Sequence, residues 1–190
     1  MNGTLIVLEG LDGVGKSTVR DGLAAHFGGM AMDSPGPMLR PLMNGWLDAL
    51  DRDVDARVLT YLAAGLAIGR RARVLADAGH VVVLDRYWCS TLAYGRASGA
   101  TVDVGALADS FARPDITVLL TIDDSERRRR LVARGIEGEE DRLTQQAEFR
   151  GRVLEGYRAA QPAGLGVDVE VDVSGADRDE ALRRVVGVVY

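Results

Sequence analysis

The chain has 190 residues, a formal net charge of -5 and 47% hydrophobic residues, which is typical of a globular protein and excludes a disordered one. The acidic balance argues against nucleic acid as the main partner. No apolar run approaches the roughly 18 residues of a membrane span, and the N-terminal residues show no signal-peptide pattern. Cys89 is the only cysteine, so no disulfide framework is expected. These features predict a cytoplasmic protein with no membrane partner.

The predicted elements alternate between strands and helices along the chain. Buried strands are predicted at 4–9, 81–85, 116–122 and 167–173, with a shorter one at 29–33. Helices are predicted at 17–27, 54–78, 104–112, 125–134, 143–160 and 177–188. The helix at 54–78 is apolar nearly all round, which predicts a buried position. Glycine and proline clusters at 34–41 and 135–138 predict loops. The alternation predicts a single three-layer α/β domain over residues 1–190, with a parallel sheet between helices.

The segment from Gly10 to Ser17 reads GLDGVGKS and matches the phosphate-loop pattern G-x-x-x-x-G-K-[ST] without a mismatch. It follows a predicted strand and precedes a predicted helix, which is the context that this pattern requires. Glycines let consecutive N–H groups point at an anion, and the helix N-terminus adds positive potential. Lys16, the only lysine of the chain, is expected at the β- and γ-phosphates of ATP, and the Ser17 hydroxyl on Mg²⁺. The residues expected to hold the ATP phosphates are Gly10, Asp12, Gly13, Val14, Gly15, Lys16, Ser17 and Thr18.

A second acidic signature is the apolar strand at 81–85, which ends in Asp85 and is followed by Arg86. Ligands of open α/β sheets bind at the carboxyl ends of the strands. Asp85 is therefore the expected partner of Ser17 in holding Mg²⁺, directly or through water. A role for Asp85 as a helix N-cap is the alternative, and the two roles are compatible. Arg86 is the candidate for holding a phosphate of the acceptor.

Residues 126–134 carry a run of arginines, of which Arg127, Arg130 and Arg134 share one helical face. Such a run is ordinarily a solvated surface, but beside a phosphate loop it favours a movable lid over about 125–142. Gly135 and Gly138 would supply its hinges. Guanidinium groups suit the negative charge that spreads over the transferred phosphoryl group. Arg130 and Arg134 are favoured for this role over Arg127.

Three motifs together resemble the thymidylate kinase family: LEGLDGVGKST at 8–18, DRYWCSTLAY at 85–94, and ARG followed by EEDR within 133–142. The resemblance covers residues 5 to about 157. It implies a P-loop fold with a five-stranded parallel sheet, usually a homodimer, and transfer of the γ-phosphoryl group of Mg·ATP to dTMP.

The resemblance also implies roles for particular residues. Asp12 corresponds to the acid that contacts the sugar hydroxyl of the acceptor, and Arg86 to the arginine that binds its phosphate. Arg130 and Arg134 correspond to lid arginines of the subgroup whose phosphate loop lacks an arginine. The expected catalytic set is Lys16, Asp85, Arg130 and Arg134.

The acceptor side departs from the family pattern. Where bacterial members carry a TREPGGT-like segment, residues 32–37 read MDSPGP, so Asp33 stands where a phosphate-binding arginine is expected. Arg40 is the alternative residue for that contact. The family's thymine-stacking phenylalanine falls near Thr60, an arginine one turn further falls near Ala64, and a glutamine is replaced by Gly95. Tyr61 and Tyr94 remain as aromatic residues that could bind a base.

Several functions are open at this stage. The first is a kinase of dTMP or a related nucleotide. The second is a kinase of a nucleoside or another small hydroxylated metabolite, with Asp33 as a possible base. A guanine-specific switch is disfavoured because Lys16 leaves no lysine for an Asn-Lys-x-Asp segment. A module that binds nucleotides without catalysis is disfavoured because Lys16, Ser17 and Asp85 are all present.

Overall fold

The computed structural model describes residues 3–36, 39–50, 53–135 and 142–190. The described residues form one parallel five-stranded sheet with the order β2-β3-β1-β4-β5. Its strands are β1 (Thr4–Glu9), β2 (Met30–Asp33), β3 (Val81–Asp85), β4 (Ile116–Thr121) and β5 (Val169–Asp172). β1 lies at the centre and is buried on both faces, which explains its continuous apolar run. The chain leaves β1 where the strand order reverses, and ligands of such sheets bind there.

Helices flank the sheet and connect its strands. They are α1 (Lys16–Phe27), α2 (Leu39–Ala49), α3 (Val54–Asp77), α4 (Trp88–Ala97), α5 (Asp124–Arg134), α6 (Ala147–Arg158) and α7 (Arg178–Val189). α1 packs on β3 and α7, and α4 packs closely on α6. Gly156 allows that approach, because a Cβ atom there would lie only 2.8 Å from the Cα of Ala93. The tight α4–α6 contact brings Tyr157 of α6 beneath the phosphate loop, where its hydroxyl donates to the carbonyl oxygen of Gly10.

The predicted parallel sheet with flanking helices is confirmed, and three local predictions are wrong. The segment predicted as a helix at 104–112 forms a 3-10 helix at Gly105–Ser110. α4 was not predicted, and α2 begins inside a cluster that predicted a loop. Pro41 lies in the first turn of α2, where proline is tolerated, so it does not prevent the helix.

α3 is buried on one face only, which corrects the prediction of burial nearly all round. Its inner face includes the buried residues Val58 and Leu62. On its outer face Leu59 is 43% exposed and Val74 is 68% exposed. The helix therefore presents an apolar strip outward as well as inward. Within the described ranges, no helix is both long and apolar enough to cross a membrane.

Candidate active site

The phosphate loop turns the chain from the centre of the sheet into α1. Gly10, Gly13 and Gly15 have φ angles of 142°, 87° and 101°, which only glycine adopts readily. Lys16 is buried, with a relative exposure of 6%. It donates to the carbonyl oxygens of Gly10 at 3.0 Å and Leu11 at 2.9 Å. The loop is thus shaped as its sequence predicts, with Lys16 lying across it.

A cavity of about 620 Å³ opens at this loop. Among the described residues that line it are seven cationic side chains and four carboxylates, so positive charge is in excess. Such a cavity attracts a polyanion. The cationic residues are Lys16, Arg20, Arg40, Arg86, Arg130, Arg134 and Arg178. The carboxylates are Asp12, Asp33, Asp85 and Asp177.

Asp85 ends β3 at the wall of this cavity, which Ser17 also lines. Its Oδ1 atom is buried and accepts no hydrogen bond from any described residue. A buried carboxylate oxygen without a partner is costly, and a bound cation would satisfy it. Carboxylate and hydroxyl oxygens are ligands suited to Mg²⁺. The alternative role as an N-cap is wrong, because the N-cap position of α4 is occupied by Tyr87.

Arg86 is fixed by three groups around it. Its Nη2 donates to Asp12 Oδ1 at 2.7 Å and its Nη1 to Ser90 Oγ at 3.1 Å. Its Cζ lies 5.2 Å from the ring centroid of Tyr94, a cation–π distance. Burial alone would raise the pKa of Asp12, but the positive charges of Arg86 and Lys16 outweigh burial and hold that pKa below its usual range. Asp12 therefore stays ionised and holds Arg86 in place at neutral pH.

A second, narrow cavity of about 50 Å³ adjoins the first. Both cavities are lined by Ser34 and Arg86. Its other lining residues are Arg57, Val58, Tyr61, Tyr87, Ser90, Thr91, Tyr94 and Gly95. Tyr61 supplies an aromatic wall, whereas the Thr60 hydroxyl donates to the Ala56 carbonyl at 2.8 Å.

Gly95 forms the floor of the narrow cavity together with Val58. A Cβ atom on Gly95 would collide with Cγ2 of Val58. The glutamine that the family resemblance implies at position 95 is therefore replaced by a valine methyl group that reaches in from α3. The only cationic side chains of this cavity, among the described residues, are Arg57 and Arg86.

Asp33 lines the larger cavity and is paired with Arg20 of α1. The Arg20 side chain is 13% exposed and the Asp33 side chain is 30% exposed, so this pair is partly shielded from water. Arg20 also pairs with Asp21 at 2.7 Å. The negative charge of Asp33 is thus offset by a neighbouring guanidinium. The repulsion that an acid alone would exert on a phosphate here is reduced.

The predicted lid arginines have three different environments. Arg127 is wholly buried, Arg130 is partly buried and Arg134 is exposed. Arg130 donates to Val14 O at 3.1 Å, to Glu126 Oε1 at 2.6 Å and to Ala176 O at 3.3 Å. Arg134 lines the larger cavity, and its charge lowers the pKa of Asp12 after the larger effects of burial, Arg86 and Lys16. Residues 136–141 of the predicted lid, with Gly138 and the first three residues of EEDR, lie outside the described residues.

Several residues that the structure brings to the site were not placed there by the sequence analysis, and four of them are charged residues of particular interest. They are Arg20, Arg57, Arg178 and Glu9. Arg20 follows Lys16 by four residues on α1, so helical spacing would have put both side chains on one face. Arg178 follows Asp177, whose side chain caps α7, and no local pattern points it toward the phosphate loop.

Comparison with known proteins bears on what the site does. The chain matches the thymidylate kinase family model over residues 8–170. It belongs to the thymidylate kinase family. A "probable thymidylate kinase" of Pyrococcus abyssi is 34% identical over 157 residues, covering 75% of this chain and 77% of the relative. A thymidylate kinase of Xanthomonas campestris pv. campestris is 33% identical over 205 residues, covering 98% of this chain and 83% of the relative.

Solved structures agree on the fold. Thymidylate kinase from Candida albicans has a TM-score of 0.76 at 23% identity, covering 99% of this chain and 91% of that chain. That of Ehrlichia chaffeensis has a TM-score of 0.71 at 20% identity, covering 98% of both chains. Family membership makes this protein a P-loop kinase that acts on a nucleoside monophosphate.

Beneath the loop of this thymidylate kinase family member lies a buried hydrogen-bonded chain. Ser90 Oγ is bonded to a carboxylate oxygen of Glu9 and lies 2.9 Å from Tyr157 Oη, which donates to Gly10 O at 3.1 Å. The bond between Arg86 and Ser90 uses a proton of Arg86. The hydroxyl protons of Ser90 and Tyr157 are then left for three contacts, namely Glu9–Ser90, Ser90–Tyr157 and Tyr157–Gly10. A proton on Glu9 would provide the third one. Burial raises the pKa of Glu9, outweighing the Ser90 hydrogen bond and the Arg86 charge, which lower it.

We predict that Glu9→Gln keeps the fold and activity, because its amide donates to Ser90 as a protonated acid would. In the wild type the pKa of Glu9 is raised on folding. The contribution of Glu9 to the free energy of unfolding is therefore fully present below its unfolded pKa, about 4.3, and falls as the pH rises above that value. The Glu9→Gln variant should lack this part of the fall, as measured by urea unfolding between about pH 4 and pH 7.

Glu9→Leu is the control, because leucine is of similar size but makes no hydrogen bond. It should lower the free energy of unfolding by about 1–3 kcal/mol by leaving the Ser90 hydroxyl and buried N–H groups unsatisfied. Equal losses in the glutamine and leucine variants would show that Glu9 is ionised.

Proposed function

We propose that this protein transfers the γ-phosphoryl group of Mg·ATP to dTMP, giving ADP and dTDP. The observation that carries the proposal is the shared wall of the two cavities. Arg86 lines both of them, so a phosphate held by Arg86 would face the larger, phosphate-binding cavity. The acceptor's base would then extend toward Tyr61 and Tyr94 in the narrow cavity. This arrangement supports an acceptor that carries both a base and a phosphate.

On the donor side, the phosphate loop and Lys16 would bind the ATP phosphates. Ser17 and Asp85 would hold Mg²⁺, directly or through water, and the unsatisfied oxygen of Asp85 supports this assignment. When bound, the ion would neutralise charge on the β- and γ-phosphates. Arg134 would add a guanidinium where negative charge develops on the transferred group.

On the acceptor side, Asp12 both holds Arg86 and is the candidate for the sugar hydroxyl. Arg57 lies one turn before Tyr61 on α3 and lines the narrow cavity. A guanidinium only donates hydrogen bonds. If Arg57 faces C4 of the base, it would therefore favour thymine or uracil, which carry a carbonyl oxygen there, over cytosine, which carries an amino group there.

The alternative, a nucleoside kinase with Asp33 as base, has less support. Asp33 is already paired with Arg20, and an ion-paired carboxylate is a weaker base. Arg86 would also lack a phosphate to bind. Asp33 and Arg20 together are better explained as a wall of the phosphate cavity.

The acceptor panel is the direct test. With Mg·ATP we expect ADP release with dTMP and more slowly with dUMP, and no turnover of thymidine, CMP or AMP. Lys16→Met should abolish turnover with every acceptor, which controls for a contaminating kinase. Turnover of thymidine in preference to dTMP would overturn the monophosphate assignment, and loss of that turnover in Asp33→Asn would establish the alternative.

Substitution of the two lid arginines should separate their roles. Arg134→Ala is expected to lower kcat about a hundredfold with little change in the KM for ATP, because it removes charge stabilisation in the transition state. Arg130→Ala should also raise the KM, since Arg130 holds the Val14 carbonyl of the phosphate loop. Arg129→Ala is the control, because Arg129 is exposed and bonds only Ser125 of its own helix among the described residues. Equal changes in kcat and affinity for Arg134→Ala would contradict its role.

We also propose that the protein is a homodimer that pairs through α2 and α3. These helices contact each other and expose apolar side chains, with Leu42 at 69%, Trp46 at 58% and Leu59 at 43%. Sedimentation equilibrium should give about twice the chain mass of 20.4 kDa. Leu59→Glu should shift the mass toward the monomer, whereas Leu107→Glu, on the 3-10 helix, should not. A monomer mass for the wild type at every concentration would refute the dimer.

A further inference from the structure

Arg127 is the unusual member of the arginine run on α5. Its relative exposure is 0%, whereas the Arg128 side chain is 45% exposed. Arginine is almost never fully buried unless its charge and its donors are paired. A buried guanidinium at the base of α5 therefore needs an explanation that a solvated charge run does not supply.

The contacts of Arg127 join three segments. Its Nε and Nη2 donate to Asp124 Oδ1, at 3.2 Å and 3.1 Å. Its Nη2 also donates to Thr144 O at 2.8 Å. Its Nη1 donates to Asp12 O at 3.3 Å, inside the phosphate loop. One side chain thus connects the start of α5, the segment before α6 and the loop.

The bond to the Asp12 carbonyl has a consequence for the next peptide N–H. A trans peptide is planar, with its C=O and N–H pointing in opposite directions. When Asp12 O is turned toward Arg127, the Gly13 N–H points away from it. Gly13 itself lines the phosphate cavity and rests on α5, because a Cβ atom there would lie 2.9 Å from Leu131 Cγ.

We propose that Arg127 is a positioning residue of the phosphate loop. It holds the Asp12–Gly13 peptide so that the Gly13 N–H faces the bound phosphates, and it acts from outside the cavity without touching ATP. This inference rests on the proposed function, because it takes the loop to be the ATP phosphate site. Arg130 makes the equivalent bond to Val14 O, but it also lines the cavity.

Arg128 provides a matched control. It donates to the same carboxylate, at Asp124 Oδ2 and 2.7 Å, and to the same returning segment, at Gln145 O and 3.1 Å. Unlike Arg127, it makes no bond to the phosphate loop among the described residues. If Arg127 served only to anchor α5, then Arg128 would have the same role, and the two substitutions would have the same effect.

The test compares Arg127→Met, Arg127→Lys and Arg128→Met by binding of tripolyphosphate in calorimetry, by kinetics and by thermal unfolding. Tripolyphosphate is the probe because it reports on the loop without base or sugar contacts. Arg127→Met should weaken its binding about tenfold, the equivalent of about 1.4 kcal/mol, and should raise the KM for ATP by a similar factor. Arg128→Met should leave both unchanged. Arg127→Lys should recover part of the loss, because an ammonium can reach one of the carbonyls.

The outcomes are distinct. Wild-type tripolyphosphate affinity in a folded Arg127→Met or Arg127→Lys variant would overturn the inference, and so would equal weakening by Arg128→Met. If Arg127→Met does not fold, the test uses Arg127→Lys only. Weaker tripolyphosphate binding by Arg127→Lys than by the wild type, at an unchanged melting temperature, then supports the positioning role. Failure of the wild type to bind tripolyphosphate would instead refute the proposed donor site.

Discussion

A loop that points its N–H groups at an anion must place its carbonyl oxygens elsewhere and satisfy them there. In this chain the loop carbonyls are met by donors from three different helices. Tyr157 of α6 and Lys16 of α1 bond the Gly10 carbonyl, and Arg127 and Arg130 of α5 bond those of Asp12 and Val14. Since buried backbone groups are costly to leave unpaired, the packing of these helices and the shape of the loop depend on each other.

The charges of the site follow a similar logic. Arg86 is attractive to a phosphate only if neighbouring acids do not cancel its charge. Asp12 is ionised and holds it, whereas burial favours the neutral form of Glu9, which lies behind Ser90. One carboxyl group therefore orients the arginine, while burial makes the other a weaker competitor for its positive charge. Asp33 is kept from opposing a phosphate by its pairing with Arg20.

The parts of the site that the sequence predicts are those encoded over a few consecutive residues. The phosphate loop and Arg86 follow apolar strands and Asp85 ends one, and parallel strands bring their carboxyl ends to one edge. Helical registers were less predictable. The family alignment places its stacking aromatic residue near Thr60, whereas Tyr61, which the sequence analysis named as a candidate for its ring, lines the narrow cavity. A difference of one residue rotates a helical side chain by about 100°.

The sequence pattern does not predict which individual charged residues are buried. Arg127 belongs to a run that is typical of a solvated face. Asp124, one turn earlier, pairs its charge, but its burial also depends on the distant partners Asp12 and Thr144. The pairing of Asp33 with Arg20 likewise depends on how α1 lies against the sheet edge. Such contacts join residues that no periodicity connects, so they emerge from tertiary packing alone.

The contact between Gly95 and Val58 limits which substitutions can be accepted at either position. Any side chain at position 95 collides with the valine methyl group, and a smaller residue at 58 beside Gly95 would leave a void. Neither single substitution is neutral for stability, so a glutamine at position 95 is accessible only together with a smaller residue at position 58 on α3. The two positions should therefore change as a pair among homologues, and a one-residue substitution is a poor guide to what either side chain contributes to acceptor choice.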